Sequence, residues 1–363
     1  MLFGDGIRDD TANVQRLLDG RGEIFLGDGT YLISSPLKIH DNTTLRLTNG
    51  AVMKLADNSN CAIIENDTLP SRGMNHNISL IGGIWDGNNE NQVRRSRESR
   101  FQLTHYEEDY YYGILMRFVG VENFHMAHLT VKNPESYAML ICNVDNFTVE
   151  HITFDQNMLR TNMDGVHIQG KARNGRICDI KGATNDDLVA INCDDTYACE
   201  ITRGDIENIA IENLYSDNGY TAVRLLSCGS KMRNVSIRNI FGTYRFYGVS
   251  FTHHNIHPGE PIWFDNISVS DIFASKPIGD KSDRPIIWFE KGICCGNVSI
   301  SNVHRIEEDV TVAPTIRIDE NVTIDRLIVS DVTQKFLNCP EIPVIINNGK
   351  VEKLLLRDVE GLE

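Results

Sequence analysis

A short phrase recurs along the chain, in which Asn is followed by an apolar residue, Ser or Thr, and another apolar residue. Clear copies begin at Asn77, Asn146, Asn234, Asn266, Asn297 and Asn321, and looser copies begin at Asn123 and Asn208. Most neighbouring copies lie roughly 23 to 34 residues apart, which is typical of solenoid proteins. Each phrase alternates apolar and polar positions, so it predicts a short strand with one buried face. Only stacking of successive coils can cover that face.

A second series of strands precedes the Asn phrases. When these strands are aligned on their first apolar residue, their middle positions project outward as one column. The predicted column is Leu115, Leu140, His167, Ala190, Arg224, Ser250, Trp288 and Arg317. His, Arg and Trp side chains on an exposed sheet are suited to binding sugars, although an ordinary solvated sheet face explains them equally well. We predict an all-β fold, a right-handed parallel β-helix that forms a single domain over residues 1–363.

The repeat is interrupted in two places. Residues 1–35 are predicted to form an N-terminal cap, because Asp9-Asp10-Thr11 precedes apolar residues at helical spacing. A short amphipathic helix there would close the open end of the solenoid. Residues 90–112 lack the repeat and contain several Arg and Tyr residues. We interpret them as an inserted surface loop, with an arm over the groove as the alternative.

The composition restricts the possible partners and the compartment. A formal net charge of -15 argues against binding to nucleic acid or to an anionic membrane surface, but not against an acidic glycan. The nine cysteines show no Cys-x-x-Cys spacing, which favours free thiols in a reducing compartment. No apolar run approaches the ~18 residues of a membrane span. We expect a cytoplasmic protein, or a secreted or periplasmic one if a signal peptide has been removed, and a monomer or homotrimer.

Two acidic phrases carry the candidate chemistry. They are Asn162-Met163-Asp164-Gly165 and Asn185-Asp186-Asp187-Leu188. With the strands in register, Asp164 and Asp187 occupy equivalent positions, two residues before the first buried apolar residue. Adjacent strands lie about 4.8 Å apart, so the carboxylates should meet on the surface. Their repulsion should raise at least one pKa and separate an acid from a base.

These phrases resemble those of glycoside hydrolase family 28, the polygalacturonases, within the pectate-lyase-like β-helix group. The family's Asn-Thr-Asp-Gly phrase is similar to the one around Asp164, and its paired-Asp phrase ending in Ile-Ala-Ile is similar to Asp186–Ile191. Three further phrases resemble the family: Gly82-Gly83-Ile84-Trp85-Asp86-Gly87-Asn88, Pro134-Glu135-Ser136-Tyr137 and the opening Gly4-Asp5-Gly6. The resemblance covers roughly residues 4–273.

The resemblance implies an inverting hydrolase, in which Asp187 is the acid and Asp164 and Asp186 position the water. The chain also departs from the family. The family's Gly-His-Gly phrase falls on Tyr220-Thr221-Ala222, and its Arg-Ile-Lys phrase falls on Ser250-Phe251-Thr252. The missing cations predict an oligo- or polysaccharide substrate other than plain polygalacturonan.

Other polar residues near the acidic phrases are candidate sugar contacts. We predict this role for His167, Arg224, Tyr220, Asn192, Asp194, Arg160 and His253. Arg224 projects from the next coil but one after His167, and together the two side chains can supply the missing imidazole and cation. Asp194 and Asp195 begin a loop that runs to Gly204, where a metal is the alternative to sugar contact. A calcium site needs six to eight oxygens, and without a regular acidic array we predict no metal and no cofactor.

Two other functions fit the same sequence. A uronate lyase or epimerase would abstract the C5 proton with a Lys, Arg, His or Tyr base, a role for His167, Tyr220 and Arg224. A binding or structural β-helix with an inactive site would hold glycans without turnover. The fold alone does not decide among these functions.

Overall fold

The computed structural model describes residues 1–69, 72–93, 111–194, 202–227, 229–253, 263–338 and 342–359. Within these residues the chain forms 25 strands, joined by parallel pairings into one continuous hydrogen-bonded array. Each strand pairs with the equivalent strand of the next coil, as in β7 to β10 or β16 to β18. The predicted right-handed parallel β-helix is confirmed.

The first coils consist of short strands and one α-helix. Their bounds are β1 Asp5–Asp9, α1 Thr11–Asp19, β2 Gly22–Leu26, β3 Gly29–Ile33, β4 Leu37–Ile39, β5 Thr43–Leu47, β6 Ala51–Leu55, β7 Ile64–Asn66, β8 Asn75–Ile81 and β9 Ile84–Asp86. A 3-10 turn follows at Asn89–Asn91. Because β2 pairs with β5 and β3 with β6, residues 22–33 of the predicted cap already belong to the first coil.

The later coils alternate long and short strands. Their bounds are β10 Met116–Ala127, β11 Thr130–Lys132, β12 Met139–Asp155, β13 Val166–Ala183, β14 Asp187–Asn192, β15 Ile206–Gly219, β16 Thr221–Leu226, β17 Lys231–Tyr244, β18 Val249–Thr252, β19 Trp263–Ser275, β20 Ile287–Phe289, β21 Cys294–Glu307, β22 Ile316–Ile318, β23 Thr323–Phe336, β24 Ile345–Asn347 and β25 Lys350–Val359. We call the sheet formed by the starts of β12 and β13 with β14, β16, β18, β20, β22 and β24 the site sheet.

The core is built from apolar columns that run along the helix axis. One column of the site sheet consists of Val166, Val189, Val223, Val249, Ile287 and Ile316, which are in register and fully buried. Burying a Val or Ile side chain contributes about 1.5–3 kcal/mol. Because every coil contributes to such columns, the apolar positions fix the register, and the register places the polar residues between them.

The Asn residues of the repeat lie at bends, as their position in the phrase predicts. Asn208, Asn234 and Asn266 adopt left-handed backbone conformations with φ between 53° and 59°. Their side chains form a ladder, because the amide of Asn234 donates to Asn208 at 3.0 Å and that of Asn266 donates to Asn234 at 3.2 Å. The ladder satisfies the hydrogen-bonding groups of these side chains, and Asn is a residue that tolerates the left-handed backbone of the bend.

The predicted N-terminal helix is present as α1. Val14 and Leu18 on one face are fully buried, and the helix contacts β4 and β3. Asp10 occupies the N-cap position but makes no side-chain cap hydrogen bond. Its carboxylate instead accepts hydrogen bonds from the backbone amides of Phe3 and Gly4, both at 2.8 Å. Asp10 therefore fastens the N-terminal segment to the cap.

One predicted position of the outward column is wrong. Leu140 pairs with Arg117, and Leu115 lies just before β10 with its side chain buried. The run from Ile114 to Phe118 is apolar on both sides of Arg117, so aligning it on its first apolar residue shifted the register by two positions. The other members pair in the predicted order from Leu140 to Arg317. The predicted exposure of this column is wrong for Leu140, His167, Ala190 and Ser250, which are buried.

Two further sequence features are visible in the structure. Among the cysteines in the described ranges, Cys61, Cys178, Cys294 and Cys295 are free thiols. No helix among the described residues is long and apolar enough to cross a membrane. Most of the insertion at 90–112, including its arginines, lies outside the described residues.

Candidate active site

The acidic phrases lie at the same turn of adjacent coils, immediately before the site sheet. Val166 pairs with Val189, which makes Asp164 and Asp187 equivalent as predicted. The amide of Gly165 donates to the carbonyl of Asp187 at 2.8 Å. A Cβ on Gly165 would lie 2.4 Å from the carbonyl oxygen of Leu188. Glycine therefore follows Asp164 because the neighbouring coil leaves no room for a side chain.

Asp164 is held by a chain of buried polar groups. Nδ1 of His167 lies 2.8 Å from the Asp164 carboxylate, and Nε2 lies 3.0 Å from the side-chain amide nitrogen of Asn192. An amide nitrogen only donates, so Nε2 accepts and Nδ1 carries the proton that is donated to Asp164. All three residues are almost fully buried. The structure thus brings predicted residues His167 and Asn192 together with Asp164.

Asp187 lies beneath the surface beside a cation. Its carboxylate is 2.9 Å from Nε of Arg224, an ion pair whose alignment is too poor for a good hydrogen bond. The hydroxyl of Thr221 also hydrogen-bonds to it. Burial nevertheless dominates and raises the pKa of Asp187 to about 6, against the lowering effect of Arg224. Asp187 is therefore protonated in mildly acidic solution.

Asp186 is the most exposed of the three carboxylates. The amide of Asn162 donates to it at 3.3 Å, and the backbone amide of Asp187 donates at 3.1 Å. Its desolvation and the negative charges of Asp164 and Asp187 raise its pKa well above the ordinary value. The predicted mutual repulsion of the carboxylates is present, because each of these charges raises the pKa of a neighbour.

Aromatic rings flank the carboxylates on both sides along the helix axis. Tyr137 stacks on His167 with ring centroids 3.9 Å apart. On the other side, Tyr220 stacks on Phe246 at 3.7 Å. Burial and the charges of Asp186 and Asp187 raise the pKa of Tyr220, which places this ring close to the acidic cluster.

The other predicted contacts use their polar groups elsewhere. Arg160 pairs with the buried Glu135 at 2.7 Å and donates to the carbonyl of Asn89 at 2.8 Å. Its guanidinium is therefore engaged by Glu135 and Asn89.

Asp194 and His253 are also held by structural partners. The carboxylate of Asp194 accepts from the hydroxyl and the amide of Ser230 at 2.6 and 2.7 Å, and from Arg203 at 3.0 Å. His253 Nε2 donates to the carbonyl of Lys291 at 2.9 Å. Asp195 and His254 lie outside the described residues. Among the described residues, no cluster of three His, Cys, Asp or Glu side chains is arranged to hold a metal ion.

Sequence reasoning missed several residues of the site. Thr221 is the first residue of β16 and is in register with Asp187, so the strand alignment could have identified it. Phe246, Arg245 and Arg284 lie in turns between strands, where no periodic pattern applies. Arg284 stacks its guanidinium over Phe246 at 3.9 Å from the ring centroid.

Solved structures with the same fold include proteins of several functions. A family 28 exopolygalacturonase of Yersinia enterocolitica superposes with a TM-score of 0.62 and 15% identity, over 99% of this chain and 76% of that chain. The surface adhesin PfbA of Streptococcus pneumoniae gives 0.61 and 14% over 98% of both chains. The A-module of the mannuronan C-5 epimerase AlgE4 of Azotobacter vinelandii gives 0.60 and 13%, over 99% and 94%. These similarities establish a shared fold.

Sequence comparison is more specific. No curated protein sequence is significantly similar to this chain. A family model described as rhamnogalacturonase A/epimerase, pectate lyase-like, matches residues 2–245. This match covers more than half of the chain and includes both acidic phrases. The chain therefore belongs to the rhamnogalacturonase A/epimerase family of pectate-lyase-like β-helix proteins.

Proposed function

We propose that this protein is an inverting glycoside hydrolase of the family 28 type. The observation that carries the proposal is the convergence of Asp164, Asp186 and Asp187 at one turn of two adjacent coils, where burial and mutual charge raise the pKa values of Asp186 and Asp187. Acid/base cleavage of a glycosidic bond requires a carboxylic acid that retains its proton beside a carboxylate that orients water, and the raised pKa of Asp187 suits the acid.

In this mechanism Asp187 is the acid. Its pKa of about 6 keeps it protonated in mildly acidic solution. It gives its proton to the glycosidic oxygen as the bond from that oxygen to the anomeric carbon breaks. Water held by Asp164 and Asp186 attacks the carbon from the opposite face, and its proton passes to one of these carboxylates. The anomeric configuration is inverted in the product.

Two residues position this set. His167 donates to Asp164 and is itself oriented by Asn192, so the Asp164 carboxylate is fixed in one direction. Arg224 lies against Asp187 and stabilises the aspartate that remains after proton transfer. Groups that orient a catalytic side chain commonly contribute 10–100-fold to activity or affinity.

The same contacts argue against the lyase or epimerase alternative. Such an enzyme needs a base that faces the sugar, and both ring nitrogens of His167 are occupied by Asp164 and Asn192. The raised pKa of Tyr220 disfavours its deprotonation. Arg224, the third candidate base, is paired with Asp187. The carboxylates are therefore better suited to proton transfer than any of these three residues.

The substrate is proposed to be a glycan other than plain polygalacturonan. The positions where the resemblance places two cations are occupied by Ser250 and Thr252, which are uncharged and nearly buried. The Thr252 hydroxyl donates to the carbonyl of Leu225, so it serves the backbone of the neighbouring coil. Arg224, which is in register with Ser250 on the adjacent strand, is paired with Asp187, so a uronate at that place would have no positive partner of its own.

The test is a panel of plant and microbial glycans incubated with the purified protein. If the protein is a hydrolase, we expect new reducing ends to form without an unsaturated product. Ultraviolet absorbance from an unsaturated uronate would instead identify a lyase. If the protein binds a glycan tightly but forms no product from it, the non-catalytic binding β-helix would be favoured.

A further inference from the structure

A row of side chains continues from the carboxylates along the helix axis. The turns before successive site-sheet strands are joined by backbone hydrogen bonds, from Phe246 to Tyr220 at 2.8 Å and from Gly248 to Ile286 at 2.8 Å. Asp187, Tyr220, Phe246 and Arg284 therefore lie in this order, one coil apart. With strands about 4.8 Å apart, Arg284 is three coils, or roughly 14 Å, from Asp187.

Two guanidinium groups bracket the aromatic pair of this row. The guanidinium carbon of Arg284 lies 3.9 Å from the ring centroid of Phe246, and that of Arg245 lies 5.6 Å from the ring centroid of Tyr220. Tyr220 and Phe246 stack on each other. We call these four residues the platform. All of them are half-buried, so one side of the platform is open to solvent beside Asp186.

The positive charges of the platform are not neutralised. Among the described residues, no carboxylate pairs with Arg284, and Arg245 contacts only the carbonyl of Thr184 and the side-chain oxygen of Asn185 at 3.5 and 3.3 Å. The acidic neighbour Asp283 is paired with Arg317. In a chain with a formal net charge of -15, two uncompensated guanidiniums next to an acidic cluster need an explanation.

The platform is also rigid. Nζ of the buried Lys276 donates to the carbonyl of Phe246 at 2.5 Å and to that of Tyr244 at 3.4 Å. Each guanidinium carbon lies over an aromatic ring, a contact that limits the positions the guanidinium can adopt. This geometry is suited to an oxyanion, which arginine binds through parallel hydrogen bonds.

We infer that the platform is a subsite for an anionic substituent of the glycan, a carboxylate or a sulfate, on a sugar bound two to three coils from Asp187 on the β20 side. This inference rests on the proposed function and names its substrate class as an acidic glycan. The platform also accounts for the absence of cations at Ser250 and Thr252, because its positive charges lie in the turns and not on the sheet.

The test measures binding, so it does not depend on turnover. The Asp187→Asn protein is titrated with oligogalacturonate, its methyl ester, a sulfated galactan oligosaccharide, and neutral galactan and xylan oligosaccharides. We expect retention of a carboxylated or sulfated glycan, weaker binding of neutral ones, and an affinity that falls with added salt. The two anionic arms distinguish carboxylate from sulfate.

The residue-level arm uses Arg284→Gln in the same background. We expect at least a tenfold loss of affinity for the anionic glycan, and a smaller loss for Arg284→Lys, which keeps the charge but not the planar stack. Arg326→Gln is the matched control, because it removes the same charge from an exposed position on β23. It should change affinity less than twofold.

Three outcomes would overturn the inference: retention of neutral glycans alone, no retention of any anionic glycan, or equal affinity of the Arg284→Gln and parent proteins. These are separable from failure of the proposed function. A protein that binds an acidic glycan through Arg284 but never cleaves it would retain the subsite and lose the hydrolase assignment.

Discussion

Nε of Arg224 lies 2.9 Å from the carboxylate of Asp187, across adjacent strands of the site sheet. The contact opposes burial, which raises the pKa of Asp187 to about 6. Arg224 thus keeps the acid titrating near neutral pH. If Asp187 is the proton donor, activity is lost as pH rises through this pKa.

The first prediction follows from removing that charge. In Arg224→Met the pKa of Asp187 rises, so the acid stays protonated to higher pH. The alkaline limb of the kcat/KM profile therefore shifts to higher pH. Activity below the limb also falls, because the aspartate left after proton transfer loses its cation. The pH profile of kcat/KM measures both effects. An alkaline limb that stays at the same pH or shifts to lower pH would contradict the role of Arg224.

The second prediction concerns stability. A group whose pKa is raised by folding stabilises the protein below its unfolded pKa, and this contribution is lost as pH rises through the folded pKa. For Asp187 the rise from 3.8 to about 6 corresponds to about 3 kcal/mol. Asp187→Asn should match the parent in free energy of unfolding near pH 4 and exceed it at pH 8.

Denaturant titrations at both pH values measure this difference. The control is Asp325→Asn, at an exposed position, which should alter stability little at either pH. If Asp187→Asn were less stable than the parent at pH 8, the Asp187–Arg224 pair would be a net stabilising interaction and the raised pKa would be wrong.

The third prediction separates positioning from binding. His167→Ala leaves Asp164 without the donor at Nδ1, so kcat should fall about 10–100-fold with a smaller change in KM. His167→Asn places an amide near the position of Nδ1 and should recover part of kcat. Steady-state kinetics of the two variants test this. Equal losses in both would show that His167 acts through packing against Tyr137 alone.

The fourth prediction tests the ladder of the repeat. Asn234 has φ of 56° and both donates and accepts a ladder hydrogen bond. Asn234→Ala loses these bonds and keeps a Cβ in a left-handed conformation without the polar side chain that lets Asn adopt it. Asn234→Gly loses the same bonds but has no Cβ, so the left-handed conformation is not strained. We expect Ala to be less stable than Gly by about 1–2 kcal/mol in denaturant unfolding. Equal stability would mean that the backbone relaxes at this bend.

Sequence reasoning succeeds where apolar residues fix the register. Val166 and Val189 are unambiguous inward positions, so the equivalence of Asp164 and Asp187 follows directly. It fails at Leu115, because an apolar run on both sides of Arg117 allows two alignments. The solenoid is predictable because the same physical requirement, a covered apolar face, is repeated in every coil.

The site is only partly predictable for a related reason. The contact of His167 with Asp164 depends on side-chain direction within one strand, and the pairing of Arg160 with Glu135 joins two turns that have no common pattern. Phe246 and Arg284 also lie in turns, where chain length varies between coils. Their proximity is a property of the stacked backbone and not of any local motif.

The most direct measurement of the central claim compares reducing-sugar release by the parent, Asp187→Asn and Asp164→Asn proteins on a glycan that the parent cleaves. Circular dichroism establishes that each variant is folded, and Asp325→Asn serves as the control for loss of a carboxylate. We expect a loss of about a thousandfold or more in both site variants and full activity in the control. Full activity in folded Asp187→Asn and Asp164→Asn proteins would contradict it.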